Sequence, residues 1–257
     1  MALLNISLES PLLGNIARNL TVVYPENPEF TAELPVMYLL TGGLRDETYW
    51  SRMSMIEVYV KDLPMITVMP SCEYGYIDWT NDGPQDERHF IEEVIPFIDR
   101  VFNTNASKNG RAIGGLSWGG YGALKFALKY PELFCSVVSH SGAVAASRWR
   151  DNPDRATYFE PPRGWFFDQM LGLSPAGGKD CLFQLAEQVD LASVPAIRFD
   201  CGTEDFLLEE NREFAAHLKA LGISYVYEEY PGGHEFEYWD IHVQEAIEFH
   251  KEQLSIQ

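Results

Sequence analysis

The run Arg111-Ala112-Ile113-Gly114-Gly115-Leu116-Ser117-Trp118-Gly119-Gly120-Tyr121-Gly122-Ala123-Leu124 restricts this chain more than any other stretch. It begins as a short apolar run, ends with helical character, and has Ser117 at the corner. Gly115-Leu116-Ser117-Trp118-Gly119 fits G-x-S-x-G, a pattern that sets a serine on a tight strand-to-helix turn. Glycines two residues before and two after leave room for a strained backbone at the serine. The hydroxyl then stands above the sheet, and the next N–H and the helix N-terminus face incoming negative charge. Gly115 and Gly120 are also spaced like the glycines of a phosphate-binding loop. That loop requires Lys and Ser/Thr where this chain has Tyr121-Gly122. The blander alternative is a glycine-rich turn that only packs a helix on a strand, so the rest of the chain must decide.

Apolar and polar residues alternate at Leu4, Ile6 and Leu8, which predicts a half-buried strand. Arg18 to Tyr24 predicts a second strand, paired antiparallel with the first at one sheet edge. Pro35 to Leu40 is apolar throughout, as expected of a strand covered on both faces. Strand and helix then alternate. Met65 to Met69, the elbow strand, Cys135 to His140, Ala196 to Cys201 and Tyr225 to Tyr230 are the later strands. Helices are expected around Met53, Ile56 and Val60, from Phe90 to Phe102 with Pro96 kinking or splitting it, after the elbow, at Glu209 to Leu221 and at Trp239 to Gln253. Eight strands, the last six alternating with helices, call for an α/β fold with a mostly parallel sheet covered on both faces.

A chain of 257 residues can hold one sizeable core. With no repeat or linker in view, residues 1–257 are expected to form a single domain. Residues 147–179 break the rhythm. They carry four prolines and Trp149, Tyr158, Phe159, Trp165, Phe166 and Phe167, and are expected to be a lid-like insertion after the sixth strand.

The net charge of −19 argues against nucleic acid or an anionic membrane surface as partner. No stretch approaches the roughly 18 consecutive apolar residues of a membrane span, and the first residues lack a signal-peptide pattern. Cys72, Cys135, Cys181 and Cys201 are widely spaced and read as reduced thiols. The expected setting is cytoplasmic. Monomer and homo-oligomer both remain open.

A serine at such a turn is inert without a base, and the base needs an acid to orient it. Gly202-Thr203-Glu204-Asp205 leaves the strand ending at Cys201, and Pro231-Gly232-Gly233-His234 leaves the next strand at the same sheet edge as Ser117. Asp205 is the best-placed acid, because Asp200 lies inside its strand and Glu204 is mispositioned if Gly202 makes the turn. His234 is the preferred base. His89, His217 and His250 sit on predicted helices and are read as solvated. His242 lies on the last helix. His140 ends a strand near the site but precedes the acid in the chain. No H-E-x-x-H occurs, and His234 and His242 lack helical ligand spacing, so neither metal nor cofactor is expected.

With these residues in view, the chain resembles the putative esterase family of α/β-hydrolases, which includes S-formylglutathione hydrolase (esterase D), bacterial tributyrin esterases, and feruloyl and acetylxylan esterases. The resemblance rests on Leu39-Leu40-Thr41-Gly42-Gly43 with Trp50, Gly115 to Leu124, Tyr130-Pro131-Glu132-Leu133-Phe134, Ser141-Gly142, Cys201 to Phe206, and Gly232-Gly233-His234 with Trp239. It implies an α/β-hydrolase fold in which Ser117 is the nucleophile, His234 the base and Asp205 its partner, with an oxyanion hole made by the N–H groups of Gly43 and Trp118. The implied activity is a serine carboxylesterase acting on short-chain acyl esters through an acyl-serine. An S-formylglutathione-type thioesterase, a feruloyl or acetylxylan-type esterase, an acyltransferase and a ligand-binding relative without turnover are the alternatives. Two departures bear on the acyl pocket. Thr41 stands where the family usually has His, and Trp118 where it often has Met.

Overall fold

The strongest patterning signal is at the strand Val36–Leu40. Its five side chains are all buried, and they divide by parity between two cores. Val36, Tyr38 and Leu40 enter one cluster, while Met37 and Leu39 enter the other. Side chains of a strand alternate between sheet faces, so a run buried at every position needs cover on both sides. The structure, a computed structural model, describes residues 1–27, 30, 32–43, 45–71, 73, 75–79, 83–160 and 178–256.

The eight strands are β1 (Ala2–Ser10), β2 (Ile16–Tyr24), β3 (Val36–Leu40), β4 (Ile66–Pro70), β5 (Arg111–Leu116), β6 (Ser136–His140), β7 (Ala196–Gly202) and β8 (Val226–Tyr230). They form one sheet in the order β1-β2-β4-β3-β5-β6-β7-β8. β1 pairs antiparallel with β2, and β2 antiparallel with β4. From β4 to β8 every pairing is parallel. The expected antiparallel pair therefore sits at the edge. In β1 half-buried and exposed residues alternate, as the half-buried pattern required.

The helices are α1 (Tyr49–Met53), α2 (Ile56–Val60), α3 (Asp86–Arg88), α4 (Ile95–Val101), α5 (Trp118–Lys129), α6 (Leu182–Gln188), α7 (Leu208–Ala220) and α8 (Phe236–Gln253). Trp50, Ile56, Val60, Trp239 and Val243 share the cluster of Met37 and Leu39, so α1, α2 and α8 cover one face. Phe126, Leu185, Phe214 and Leu218 share the other, which α5, α6 and α7 cover. Each such large side chain contributes about 1.5–3 kcal/mol relative to exposure.

α5 is buried on every side from Trp118 to Leu128, including Lys125. The Lys125 ammonium reaches the carboxylates of Glu87 and Asp180 and donates to the Tyr76 carbonyl at 2.7 Å. A buried cation is tolerable only with such partners.

Several expectations need adjustment. The helix expected from Phe90 to Phe102 is divided near Pro96 into a π-helical turn, His89–Val94, and α4, with Pro96 in the first turn of α4. The last helix starts at Phe236, one turn before Trp239. α6 was not foreseen. His89 and His250 are buried rather than solvated, being 5% and 0% exposed. His89 pairs with Glu93 at 2.6 Å, and His250 Nδ1 lies 2.8 Å from Ser136 Oγ. Of the lid-like stretch, Ala146–Asp151 and Pro153–Phe159 form short 3-10 turns. Residues 161–177, with Trp165, Phe166 and Phe167, lie outside the described residues, as does Cys72.

Candidate active site

Ser117 has φ 54° and ψ −117°, a conformation that L residues rarely adopt. The surroundings over-determine it. Its N–H donates to the His140 carbonyl at 2.9 Å, and its carbonyl accepts from Tyr121 and Ala143 at 3.0 and 3.1 Å. The flanking glycines are required by close approach. A Cβ on Gly115 would lie 2.6 Å from the Gly119 carbonyl oxygen, and one on Gly119 would lie 2.5 Å from that of Leu40. The elbow helix thus presses directly on the ends of β3 and β5.

β3, β5, β7 and β8 are parallel, so the loops at their C-terminal ends gather at one edge. There His234 Nε2 lies 3.0 Å from Ser117 Oγ, and His234 Nδ1 lies 2.9 Å from Asp205 Oδ2. Asp205 Oδ1 accepts the Leu207 N–H at 2.9 Å, so both carboxylate oxygens are engaged. The Asp205 side chain is fully buried, and that of His234 is 20% exposed. The imidazole packs against the Phe206 ring at 4.6 Å and edge-on to Trp239 at 4.9 Å. All three side chains singled out in the sequence therefore meet.

The two late loops are tied together. Glu204 N–H donates to the Gly232 carbonyl at 2.9 Å, and the Gly232 N–H donates to the Glu204 carboxylate. That N–H, with the Thr203 hydroxyl, holds the Glu204 carboxyl below its usual range. Glu204 thus ties the two loops, and the carboxylate bonded to His234 is that of Asp205. Gly43 and Trp118 are also neighbours, since a Cβ on Gly43 would strike the Trp118 indole. Trp118 is the first residue of α5, where N–H groups have no carbonyl one turn earlier to bond. Its ring stands edge-on to Tyr121 and Trp149, each at 5.5 Å.

His140 does not join this group. It is fully buried, with Nδ1 2.8 Å from Asp200 Oδ2, while Asp200 Oδ1 accepts the Tyr238 hydroxyl at 2.9 Å. Trp239 Nε1 donates to Ser141 Oγ at 3.2 Å. The N-terminal turn of α8 is therefore bolted to the ends of β6 and β7 directly after His234. Tyr238 carried no mark in the sequence that could have singled it out; Trp239 stood in the quoted pattern without a role. Among the described residues no cluster of three or more His, Cys, Asp or Glu side chains is arranged to hold a metal ion, and no helix is long and apolar enough to cross a membrane.

Comparison with known proteins places this geometry in context. The sequence profile of the family described as "Putative esterase" matches residues 14–249. An acetyl esterase of Caldicellulosiruptor saccharolyticus is 28% identical over 264 residues, covering 97% of this chain and 98% of the relative. Esterase Rv1288 of Mycobacterium tuberculosis is 31% identical over 231 residues, which are 79% of this chain; the match spans only 49% of that longer protein. Among solved structures, the fluorophosphonate-binding serine hydrolase FphF of Staphylococcus aureus, in a substrate-bound form, superimposes with a TM-score of 0.84 at 27% identity over 97% of this chain and 98% of its own. The chain belongs to the putative esterase family, and it is a serine hydrolase of the α/β-hydrolase fold that acts on ester bonds.

Proposed function

We propose that Ser117, His234 and Asp205 are the catalytic triad of this esterase, with the Gly43 and Trp118 N–H groups as its oxyanion hole. The observation that carries the reading is the unbroken hydrogen-bond relay from Ser117 Oγ through both His234 nitrogens to Asp205 Oδ2, at 3.0 and 2.9 Å. His234 Nε2 takes the Ser117 proton as Oγ attacks the acyl carbon. The carbonyl oxygen becomes an oxyanion held by the two amides, and the alcohol leaves with the proton from His234. Water, deprotonated by His234, then attacks the acyl-serine and releases the acid. Asp205 keeps the proton of neutral His234 on Nδ1, so that Nε2 is the acceptor.

Short acyl groups are the proposed substrates. The Trp118 indole, 7% exposed and packed between Gly43, Tyr121 and Trp149, occupies space beside the nucleophile. The acetyl esterase relative points the same way. An acetylated carbohydrate is the second reading for the alcohol side. Phe206 is 47% exposed and lies against His234, an aromatic surface on which a sugar ring can stack. We further read the chain as one domain working in the cytoplasm, in keeping with the free thiols of Cys135 and Cys201.

A fluorophosphonate probe should label Ser117, and Ser117→Ala should lose the label and at least about 10⁴-fold in kcat. Label on another serine would refute the assignment. Comparing kcat/KM for p-nitrophenyl acetate, butyrate and palmitate, S-formylglutathione, methyl ferulate and an acetylated xylo-oligosaccharide decides the substrate. A preference for palmitate would overturn the short-chain reading.

A further inference from the structure

The first oxyanion donor, Gly43, lies on Thr41-Gly42-Gly43, just past the end of β3. This segment runs directly over the elbow. A Cβ on Gly42 would lie 2.9 Å from Leu116 Cδ1 and 3.6 Å from Ser117 Cβ. At Thr41 the chain has left the sheet, whose last β3 pairing joins Leu40 to Gly115. A single side chain then binds both polar groups of the Thr41 backbone. The Tyr76 hydroxyl accepts the Thr41 N–H at 3.1 Å and donates to the Thr41 carbonyl at 3.2 Å. Thr41 is 1% exposed, and among the described residues its own Oγ1 has no hydrogen-bond partner. The loop is therefore held from outside rather than by its own side chain.

Tyr76 is itself fixed with unusual thoroughness. It is 2% exposed and has φ 59°, in the left-handed region that a bulky residue occupies only under constraint. Its N–H donates to the buried Asp86 carboxyl at 2.7 Å. Its carbonyl accepts from Lys125 Nζ at 2.7 Å. Its ring lies on Gly122 of α5, where a Cβ would come within 2.6 Å of Cδ2, and edge-on to Phe126 at 6.1 Å. Gly122 and Lys125 belong to the helix that begins beside the nucleophile, so Tyr76 measures the oxyanion segment against that helix.

We propose that Tyr76 is a positioning residue that sets the Gly43 N–H relative to Ser117 by clamping the Thr41 peptide. It touches no substrate and acts through the main chain. Strain in its backbone and the burial of Lys125 serve this placement. The inference rests on the oxyanion hole proposed above.

The test is Tyr76→Phe, which keeps the ring and removes the hydroxyl. Rates are expressed per site titrated with fluorophosphonate, so that partial unfolding does not enter. Removing an oxyanion donor outright costs about 10²–10³-fold in kcat, and losing its alignment should cost about 10–100-fold. KM for p-nitrophenyl acetate should stay within about threefold, because ground-state binding uses the oxyanion contact least. Affinity for a trifluoromethyl ketone, which adds Ser117 to form a tetrahedral oxyanion, should fall in parallel with kcat/KM. A merely structural role would lower the melting temperature and leave both quantities unchanged per active site.

Gly122→Ala is the second variant, in case Tyr76→Phe does not fold. Alanine favours the helix over glycine, while its methyl must displace the Tyr76 ring. It should lower kcat and ketone affinity together. If the variants that fold keep kcat and ketone affinity within about twofold of the parent, the proposal is overturned. Ser117→Ala separates that outcome from failure of the active-site reading: retained turnover there would remove the triad itself, whereas its loss alongside normal Tyr76→Phe rates would remove only the clamp.

Discussion

Asp205→Asn probes the relay at the point where the geometry gives the sharpest expectation. The carboxylate uses one oxygen for the Leu207 N–H and the other for His234 Nδ1, both at 2.9 Å. Asparagine has nearly the same shape but one acceptor oxygen. If that oxygen keeps the Leu207 N–H, the amide NH₂ faces Nδ1 and forces His234 to carry its proton on Nε2. Ser117 then meets a donor where it needs an acceptor. If the amide turns over, the Leu207 N–H is buried against another donor, which costs about 1–3 kcal/mol. The protein should take the first arrangement, keep its fold and lose activity. A wrong tautomer in an enzyme of this type costs roughly 10⁴ in kcat, so a loss of 10³–10⁴, or about 4–5.5 kcal/mol of barrier, is expected. The assay is kcat/KM for p-nitrophenyl acetate beside a thermal melt. A loss of less than about tenfold at an unchanged melting temperature would refute the tautomer argument and the role of Asp205 with it.

Two further predictions concern pH and stability. Burial pushes Asp86 up to about 7, with the Tyr76 N–H and Arg18 only partly offsetting it. Between about pH 4 and 7 the folded protein thus holds a proton that the unfolded chain releases, so this group's contribution to stability falls as pH rises through that window and is flat above it. Asp86→Asn, whose carbonyl can still accept the Tyr76 N–H, should flatten that slope and gain on the order of 4 kcal/mol at most relative to the parent at pH 8, read by urea unfolding. His250 runs the other way. Burial, and then the charge of His140, push it down to about 3. Its contribution is complete above about pH 6.5 and is lost as pH falls towards 3, because the unfolded chain takes up a proton the folded one refuses. His250→Gln should shrink the acid-side loss, and an unchanged acid limb would contradict the assignment.

The elbow, both late loops and the edge position of the antiparallel pair were legible because each has a local signature. A turn with φ 54° at a serine leaves glycines beside it, and a doubly covered strand such as β3 leaves an unbroken apolar run. The order of Ser117, Asp205 and His234 along the chain was legible for a topological reason. Parallel strands place their following loops at one edge, so a residue just past β5, β7 or β8 arrives there without further information. α6 was not legible, since Leu182–Gln188 makes barely two turns and follows a stretch without periodicity.

The histidines show where local patterning stops. On a predicted helix, His89 and His250 look like any polar residue on a wet face. What fixes them reaches beyond their own helices: Ser10 donates to the Glu93 that pairs with His89 one turn on, and Ser136 and the glycine at 114 lie against His250. Lys125 repeats the lesson, buried at 0% exposure because Glu87 on α3 and Asp180 just before α6 arrive from distant parts of the chain. Tyr76 is the extreme case. Its partner Thr41 belongs to another βα connection, and the aromatic sits in a stretch rich in Gly, Asp and Tyr that reads only as a loop. Tyr76 carries no periodicity or motif, so the pairing appears only once the sheet has folded. The sequence marked the groups proposed to do chemistry, because chemistry demands particular residue types. The groups that hold them still answer only to distance, and many residue types can serve. On the proposed reading, a segment clamped through its peptide by Tyr76 places little demand on the Thr41 side chain it carries.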